Sequence, residues 1–280
     1  MPKRKRNDAP AAEDEPTAND GASKRPKRGR KDEVDESSKK TTATQDQSVQ
    51  VFTVSSSKGK DIACERRSAT DNTPALIFTH GAGGGLSNPA TALFADGFAE
   101  VSPVTMFKGN MNLKARVNSF QAVIGHEEAQ ASALGGRSMG ARAAVLTAQE
   151  SEAQTKALVL ASYPMVGASK GDSREQILLD LPEGIDVLFI SGSKDSMCDL
   201  KHLHKVVKKM KARSWICEVT DADHGMGLKP KVGEEPMRKH MGKLAAQWLL
   251  DRDEGKRYCT ISWDKDEGEV TLSGWQKDAG

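Results

Sequence analysis

The chain has 280 residues, and its 41 lysines and arginines nearly balance its 39 aspartates and glutamates, which leaves a net charge of +2. This length suffices for one sizeable domain with tails, and balanced charge neither requires nor excludes a nucleic-acid partner. Only 5% of the residues are aromatic, and no run of about eighteen apolar residues occurs, so we expect neither a stacking surface for single-stranded nucleic acid nor a membrane span.

The first segment, residues 1–48, is polar and dominated by charged residues, Ser, Thr, Ala and Pro. Such a segment buries too little apolar surface to offset its conformational entropy, so we expect it to be disordered. Its basic clusters at 3–6 and 24–31 predict nuclear localisation, or a division between nucleus and cytoplasm, through an import receptor, with nuclear proteins as partners. The alternative is a solvated tail that aids solubility. The acidic blocks at 13–15 and 32–36 argue against direct nucleic-acid binding.

Strands and helices alternate over residues 49–251, which we predict to be one domain. The predicted strands are 51–54, 61–66, 74–79, 101–107, 133–137, 156–161, 185–190 and 215–219. The predicted helices are 88–99, 115–130, the run after residue 138, 200–210 and 236–250. Most of these strands are continuous apolar runs, which predicts an α/β fold with a mostly parallel sheet covered by helices on both faces. Pro103 favours an outer position for the strand over 101–107.

Residues 252–280 form a C-terminal extension of the predicted domain. Its two strand-like stretches, 258–263 and 269–275, could pair as a hairpin. A hairpin alone is only marginally stable, so this one would have to dock against the domain.

The cysteines are expected to be reduced thiols. There are four of them, none is part of a C-x-x-C motif, and the N-terminal stretch is charged rather than an apolar leader. Both observations favour an intracellular protein. The four cysteines are Cys64, Cys198, Cys217 and Cys259.

One serine lies in a pattern that is typical of a nucleophile. Ser138 has a glycine two residues before it and two after it, Gly136 and Gly140. The predicted strand over 133–137 precedes the serine, and a run of strong helix formers follows it. This arrangement predicts a sharp, strained strand-to-helix turn that exposes the hydroxyl, with small residues where strand and helix pass closely.

A serine hydroxyl needs a neutral imidazole as base, and the chain has six histidines. Four of these fall inside predicted helices, where a solvated or packed side chain is the usual explanation: His126, His202, His204 and His240. His202 and His204 are two residues apart and share no helical face, so we expect no metal site there. His80 begins a glycine run in which its backbone should matter more than its ring. His224 follows a predicted strand late in the chain and is the candidate base.

Asp195 is the candidate acid that orients the base. It ends a loop after a predicted strand, and it lies between Ser138 and His224 in the chain, in the order Ser, Asp, His. Asp195 could instead cap a helix N-terminus. Asp221 and Asp223 compete for the role, but residues so close to the histidine in sequence are usually poorly placed to orient it.

The glycine-rich stretch at 80–85 follows a predicted buried strand and offers exposed backbone N–H groups. An oxyanion could accept hydrogen bonds from the N–H groups of Ala82 and Met139, the latter being the residue after the nucleophile. The alternative is a phosphate-binding loop. That alternative is disfavoured because the G-x-G-x-x-G pattern fails at Leu86 and no Gly-Lys-Ser/Thr follows.

Four separated stretches together resemble the α/β-hydrolase superfamily, and the resemblance extends over about residues 50–250. The stretches are 80–84, 136–140, 191–195 and 223–225. Residues 135–142 and 161–164 look most like the branch that contains testis-expressed protein 30 and subunit 3 of the non-specific-lethal chromatin complex.

The resemblance implies the α/β-hydrolase fold, with Ser138 as nucleophile, Asp195 as acid and His224 as base. Only about twenty residues connect Tyr163 to the strand before Asp195, too few for a cap domain, so we expect an open site.

Two functions remain open at this point. The first is a serine hydrolase that uses this triad to act on a small ester, thioester or amide, without cofactor or metal. The second is a non-catalytic nuclear adaptor or chromatin-complex subunit that retains the hydrolase fold, because fold alone does not establish activity.

Overall fold

The computed structural model describes residues 48–56, 59–68, 72–129, 132–150, 154–167 and 173–277, all within the unit Thr44–Gly280. Except for its last position, the segment 1–48 lies outside these residues, so its disorder and its basic clusters stay predictions. In the described part of the chain, no helix is both long and apolar enough to cross a membrane.

The described elements alternate as the sequence predicts. The strands are β1 (Ser48–Ser55), β2 (Asp61–Ser68), β3 (Leu76–Thr79), β4 (Val104–Phe107), β5 (Ala133–Arg137), β6 (Ala157–Ala161), β7 (Asp186–Gly192), β8 (Arg213–Val219), β9 (Tyr258–Asp264) and β10 (Glu269–Leu272). The helices are α1 (Pro89–Ala99), α2 (Leu113–His126), α3 (Met139–Ala148), α4 (Gln176–Leu179), α5 (Leu200–Val207) and α6 (Glu234–Leu250).

The strands form one sheet in the order β1-β2-β4-β3-β5-β6-β7-β8-β9-β10. The run from β4 to β9 is parallel, and antiparallel strands flank it at both ends. The central strands β3, β4, β6 and β7 are buried at every position, which explains their continuous apolar sequence. The predicted α/β-hydrolase fold, with its mostly parallel sheet, is confirmed.

The chain order reverses at β3, because β4 lies on one side of this strand and β5 on the other. Thr79 at the end of β3 pairs with Gly136 near the end of β5, so the loops that follow the two strands leave the sheet side by side. Ligands of open α/β sheets bind in the crevice at such a switch point. The glycine-rich loop and Ser138 therefore meet at this edge of the sheet.

Helices cover both faces of the sheet, and each face has its own core cluster. One cluster includes residues of α2, α3 and α5, and the other includes residues of α1 and α6. The helices α1 and α6 touch through glycines: a Cβ at Gly97 would lie 1.9 Å from the Lys239 carbonyl oxygen, and one at Gly242 1.9 Å from that of Phe94. Between β6 and β7 the described residues contain a single short helix, α4.

The predicted outer position of the strand that follows Pro103 is wrong. This strand, β4, lies inside the sheet and pairs with β2 on one side and β3 on the other. Pro103 precedes the first paired residue, Val104, so its missing N–H removes no hydrogen bond from the ladder. Its carbonyl accepts a hydrogen bond from the N–H of Ala75 at 2.8 Å.

Beyond residue 251 the chain adds two strands to the same sheet. β9 pairs in parallel with β8, and β10 pairs antiparallel with β9. Cys259 and Ile261 of β9 are completely buried in the core. This docking gives the hairpin the support that an isolated hairpin lacks.

Candidate active site

Ser138 lies on the turn between β5 and α3, with φ 53° and ψ −111°. A positive φ is costly for a residue with a side chain, and such strain is characteristic of functional positions. A Cβ at Gly136 would lie 2.4 Å from the carbonyl carbon of Gly140, and a Cβ at Gly140 would lie 2.5 Å from the carbonyl oxygen of Thr79. The packing at this turn therefore explains why both flanking residues are glycines.

The structure brings Ser138, His224 and Asp195 together. The Ser138 Oγ lies 2.9 Å from Nε2 of His224, and Nδ1 of His224 lies 2.8 Å from Oδ2 of Asp195. In the neutral tautomer with hydrogen on Nδ1, the ring donates to the carboxylate and its Nε2 accepts the serine O–H. The Asp195 side chain is fully buried, whereas the ring is 23% exposed, so the pair is shielded but the serine side stays accessible.

The acid loop after β7 holds the Asp195 carboxylate in place. Its Oδ1 accepts a hydrogen bond from the N–H of Met197 at 2.8 Å, and its own N–H donates to the Gly192 carbonyl at 3.1 Å. Oδ2 is the nearer oxygen to Nδ1 of His224, at 2.8 Å, and Oδ1 lies 3.0 Å from the same nitrogen. A carboxylate with both oxygens occupied is held in one orientation, which in turn fixes the plane of the ring.

The two competing aspartates have other contacts. Asp221 is exposed and pairs with Lys194 at 2.8 Å. The Asp223 Oδ1 accepts the N–H groups of Gly225 and Gly227 at 2.7 and 2.9 Å, so it shapes the turn that carries the histidine. Neither aspartate is positioned to orient the His224 ring; the loop after β7 provides that carboxylate.

A cation that the sequence analysis did not single out lies beside the triad. Arg137, the residue before Ser138, is half-buried, and its Nη2 donates to the carbonyl oxygen of His224 at 2.5 Å. A Cβ at Gly81 would lie 2.8 Å from its Nη1, so the guanidinium contacts the glycine-rich loop as well. Burial lowers the pKa of Arg137, and the charge of Asp195 opposes this shift. The side chain thus hydrogen-bonds the histidine loop and packs beside the glycine-rich loop.

The two N–H groups proposed for an oxyanion are positioned differently. Ala82 is exposed in the loop after β3, and Met139 is the first residue of α3, whose N–H has no acceptor within the helix. Among the described residues, neither N–H donates to a protein group. Met139 follows Ser138 in sequence, and a Cβ at Gly81, the residue before Ala82, would lie 3.6 Å from the Ser138 Cβ. Their role in binding an oxyanion stays a prediction.

The His80 ring makes contacts that the sequence did not indicate, in addition to those of its backbone. Its Nδ1 lies 2.7 Å from the Gly81 carbonyl oxygen, and its Nε2 accepts the N–H of Gly109 at 3.0 Å. The buried Arg116 donates to the carbonyls of His80 and Gly81. The ring and the guanidinium thus hold the glycine-rich loop from its buried side. A signal for Arg116 existed in the sequence, since it precedes Phe120 by four residues on the apolar face of its helix.

The remaining histidines have local partners. The His202 ring lies 3.0 Å from the Glu175 carboxylate, His126 stacks on Phe52, and the His240 ring contacts the Pro236 carbonyl. Within the described residues, no group of three His, Cys, Asp or Glu side chains is arranged to hold a metal ion. His224 is the histidine whose ring contacts Ser138, and the pair can pass a proton from the hydroxyl to the ring.

This geometry agrees with the relationship found by comparison with known families. A model of the alpha/beta hydrolase domain matches residues 108–249, half of the chain. The matched region contains the serine turn, the acid loop and the histidine loop. The chain belongs to the alpha/beta hydrolase family.

Solved structures share the fold at low sequence identity. Est1E from Butyrivibrio proteoclasticus is 12% identical with a TM-score of 0.57, over 72% of this chain and 99% of that one. A dienelactone hydrolase from Anabaena variabilis is 14% identical with a TM-score of 0.57, over 73% and 97%. The esterase domain of a Rhodothermus marinus protein is 14% identical with a TM-score of 0.55, over 72% and 97%.

Proposed function

We propose that this protein is a serine hydrolase that cleaves a small ester, thioester or amide through Ser138, His224 and Asp195. The carrying observation is the continuous path of contacts from the Ser138 hydroxyl through the His224 ring to the buried Asp195 carboxylate. Membership of the alpha/beta hydrolase family supports a hydrolytic reaction. The esterases among the similar folds are compatible with it, although fold alone does not assign activity.

In the first half of the reaction, the Ser138 Oγ forms a bond to the carbonyl carbon while its proton moves to Nε2 of His224. The electron pair of the carbonyl double bond moves onto its oxygen, which the N–H groups of Ala82 and Met139 stabilise. The intermediate then collapses, the bond to the leaving group breaks, and His224 returns the proton to that group. An acyl-serine and a free alcohol, thiol or amine result.

In the second half, a water molecule forms a bond to the acyl carbon and gives a proton to His224. Collapse of this intermediate breaks the bond to the Ser138 Oγ, which regains the proton from the ring. The net reaction adds one water and releases the carboxylic acid. Asp195 keeps its charge throughout, orienting the ring and stabilising its protonated form.

A cavity lies beside the acid loop. Its volume of about 400 Å³ lies within the range of small-molecule sites. Its apolar lining is contributed by Met165, Val166 and Met197, and the last of these follows Asp195 by two residues. We propose that this cavity receives the apolar part of the substrate.

Labelling with a fluorophosphonate tests the proposed activity. We expect the probe to modify Ser138, identified by mass spectrometry, and the Ser138→Ala and His224→Ala variants to lose labelling. Removal of either residue from a working triad lowers turnover on the order of 10⁶-fold. The matched control is His240→Ala, because the exposed His240 ring contacts the Pro236 carbonyl and lies outside both the triad and this cavity. The control should label like the wild type.

A folded wild-type protein that never labels, and that hydrolyses none of a panel of short p-nitrophenyl esters and thioesters, would contradict the proposal. Labelling that persists in Ser138→Ala would place the nucleophile elsewhere.

We further propose that the protein acts in the nucleus, through an import receptor that binds the basic clusters at 3–6 and 24–31. The resemblance of residues 135–142 to the chromatin-complex branch supports an adaptor role as the second candidate function. A fluorescent fusion of the full chain should accumulate in nuclei and lose that location when the basic residues of both clusters become alanine. An adaptor keeps its nuclear partners in the Ser138→Ala variant, whereas unchanged localisation after loss of both clusters contradicts the import signal.

A further inference from the structure

A buried arginine that contacts the glycine-rich loop has no carboxylate partner among the described residues. Arg116 of α2 is 0% exposed, and burial lowers its pKa to about 10, so it is still a cation at neutral pH. Burying a charge is costly unless it is paired or fully hydrogen-bonded. Arg116 is buried despite this cost and without an acidic counter-charge. We therefore ask what the guanidinium does for the groups that it contacts.

Within the described part of the chain, this guanidinium donates its hydrogen bonds to backbone carbonyls. Its Nε donates to the Asn110 carbonyl at 2.8 Å, and its Nη1 donates to the carbonyls of His80 and Gly81, the latter at 3.2 Å. The absence of a side chain at Gly109 makes room for it, since a Cβ there would lie 2.5 Å from the Arg116 Nε. Arg116 therefore acts on the segment that leads into the oxyanion loop.

The Gly81 carbonyl belongs to the same peptide group as the Ala82 N–H. In a trans peptide these two groups point in opposite directions. Arg116 and the Nδ1–H of His80 both hold the carbonyl on the buried side. The N–H of Ala82 therefore points away from the buried Arg116 guanidinium.

The His80 ring is held in the tautomer that this arrangement needs. Its Nε2 accepts the N–H of Gly109, which leaves the hydrogen on Nδ1 to be donated to Gly81. Burial and the charge of Arg116 lower the pKa of His80, which favours this neutral form. Ring and guanidinium thus act together on one peptide group.

We propose that Arg116 is a positioning residue for the oxyanion site: it fixes the direction of the Gly81–Ala82 peptide and polarises it, so that the Ala82 N–H is a stronger donor. The inference rests on the proposed hydrolase function and deepens it. Hydrogen bonds in series polarise one another, and a cation on the carbonyl strengthens the donor at the other end of the peptide. Arg116 itself does not touch the substrate.

The test compares Arg116→Met and Arg116→Lys with the control Arg66→Met. Arg66 is also partly buried and donates to a backbone carbonyl, that of Asn72 at 2.6 Å, but it lies in β2 away from the loop. With p-nitrophenyl acetate, we expect Arg116→Met to lower kcat about 10²-fold, comparable to removal of one oxyanion donor. KM and the position of the pH profile should stay close to wild type, because the triad is untouched. Lysine should recover part of kcat.

A second readout does not depend on activity. In ¹H–¹⁵N spectra of the full chain, Arg116→Met should shift the amide signal of Ala82, whereas Arg66→Met should leave it in place. If Arg116→Met does not fold, Arg116→Lys and His80→Asn carry both measurements, with smaller expected losses. An unchanged kcat together with an unmoved Ala82 signal overturns the inference. An inactive wild type whose Ala82 signal still moves overturns the hydrolase function while retaining the positioning role.

Discussion

Substitution of Gly140 by alanine tests how tightly the serine turn and the glycine-rich loop are packed. Gly140 lies in the first turn of α3, and a Cβ there would lie 2.5 Å from the Thr79 carbonyl oxygen and 2.7 Å from that of His80. Both atoms are backbone at the end of β3, so no flexible side chain can move aside. The new methyl group must push α3 away from β3, or the loop away from α3.

The size of the effect follows from these distances. An ordinary van der Waals contact begins at 3.4 Å, so the carbonyl of Thr79 must move by about 0.9 Å from its 2.5 Å position. Overpacking of this kind costs about 1–3 kcal/mol of unfolding free energy. A misplacement of about 1 Å in a catalytic site can lower the rate about 10²-fold. We therefore expect Gly140→Ala to fold with reduced stability and to lose about 10²-fold in labelling rate.

Urea denaturation and the second-order rate of fluorophosphonate labelling measure the two effects. The matched control is Gly125→Ala: Gly125 also lies in a helix, α2, but nothing lies within 4 Å of its Cβ position. Because alanine is the better helix former, the control should gain about 0.5–1 kcal/mol and keep its labelling rate. Wild-type stability and labelling in Gly140→Ala, or equal losses in both variants, would refute the packing argument.

Three further predictions concern titration and the acid. The fold lowers the pKa of His80, so below about pH 6.5 the unfolded chain binds a proton that the folded chain does not, and the free energy of unfolding decreases as the pH is lowered. His80→Asn should flatten this part of the profile of urea midpoint against pH. An identical slope in the variant would argue against the reasoning. Burial raises the pKa of the Cys64 and Cys198 thiols to about 12, so a thiol reagent at pH 7.5 should react with neither until urea is added; rapid native modification of either contradicts this. Asp195→Asn should lower kcat about 10⁴-fold with little change in KM, measured with p-nitrophenyl acetate; a loss below tenfold would be inconsistent with its orienting role.

Much of the fold could be predicted from the sequence, because buried parallel strands carry a local signal. The apolar runs that became β3, β6 and β7 are buried at every position, so composition alone marks them. The glycines on either side of Ser138 likewise predicted the turn, since any side chain at 136 or 140 would collide with backbone. Chain order then selected Asp195 and His224, which the structure brings together.

The sequence could not predict interactions between segments that are distant along the chain. Pro103 suggested an outer strand, but sheet order depends on how β1 and β2 fold back to cover β4, which no local pattern records. The sequence predicted no role for Arg116, and for His80 it predicted a role of the backbone rather than the ring. Only the tertiary structure places both against one peptide group.

What the sequence determined by itself is therefore most of the strands and helices and the candidates for serine, acid and base, whose catalytic roles stay a proposal. Strand, turn and helix signals depend on a few neighbouring residues, so they can be recognised in the sequence. The tertiary structure decided which buried polar groups support the site, because Arg116 and Arg137 act through backbone carbonyls that any sequence would supply. A carbonyl has no residue-type signature, so its partner becomes visible only when the chain is folded.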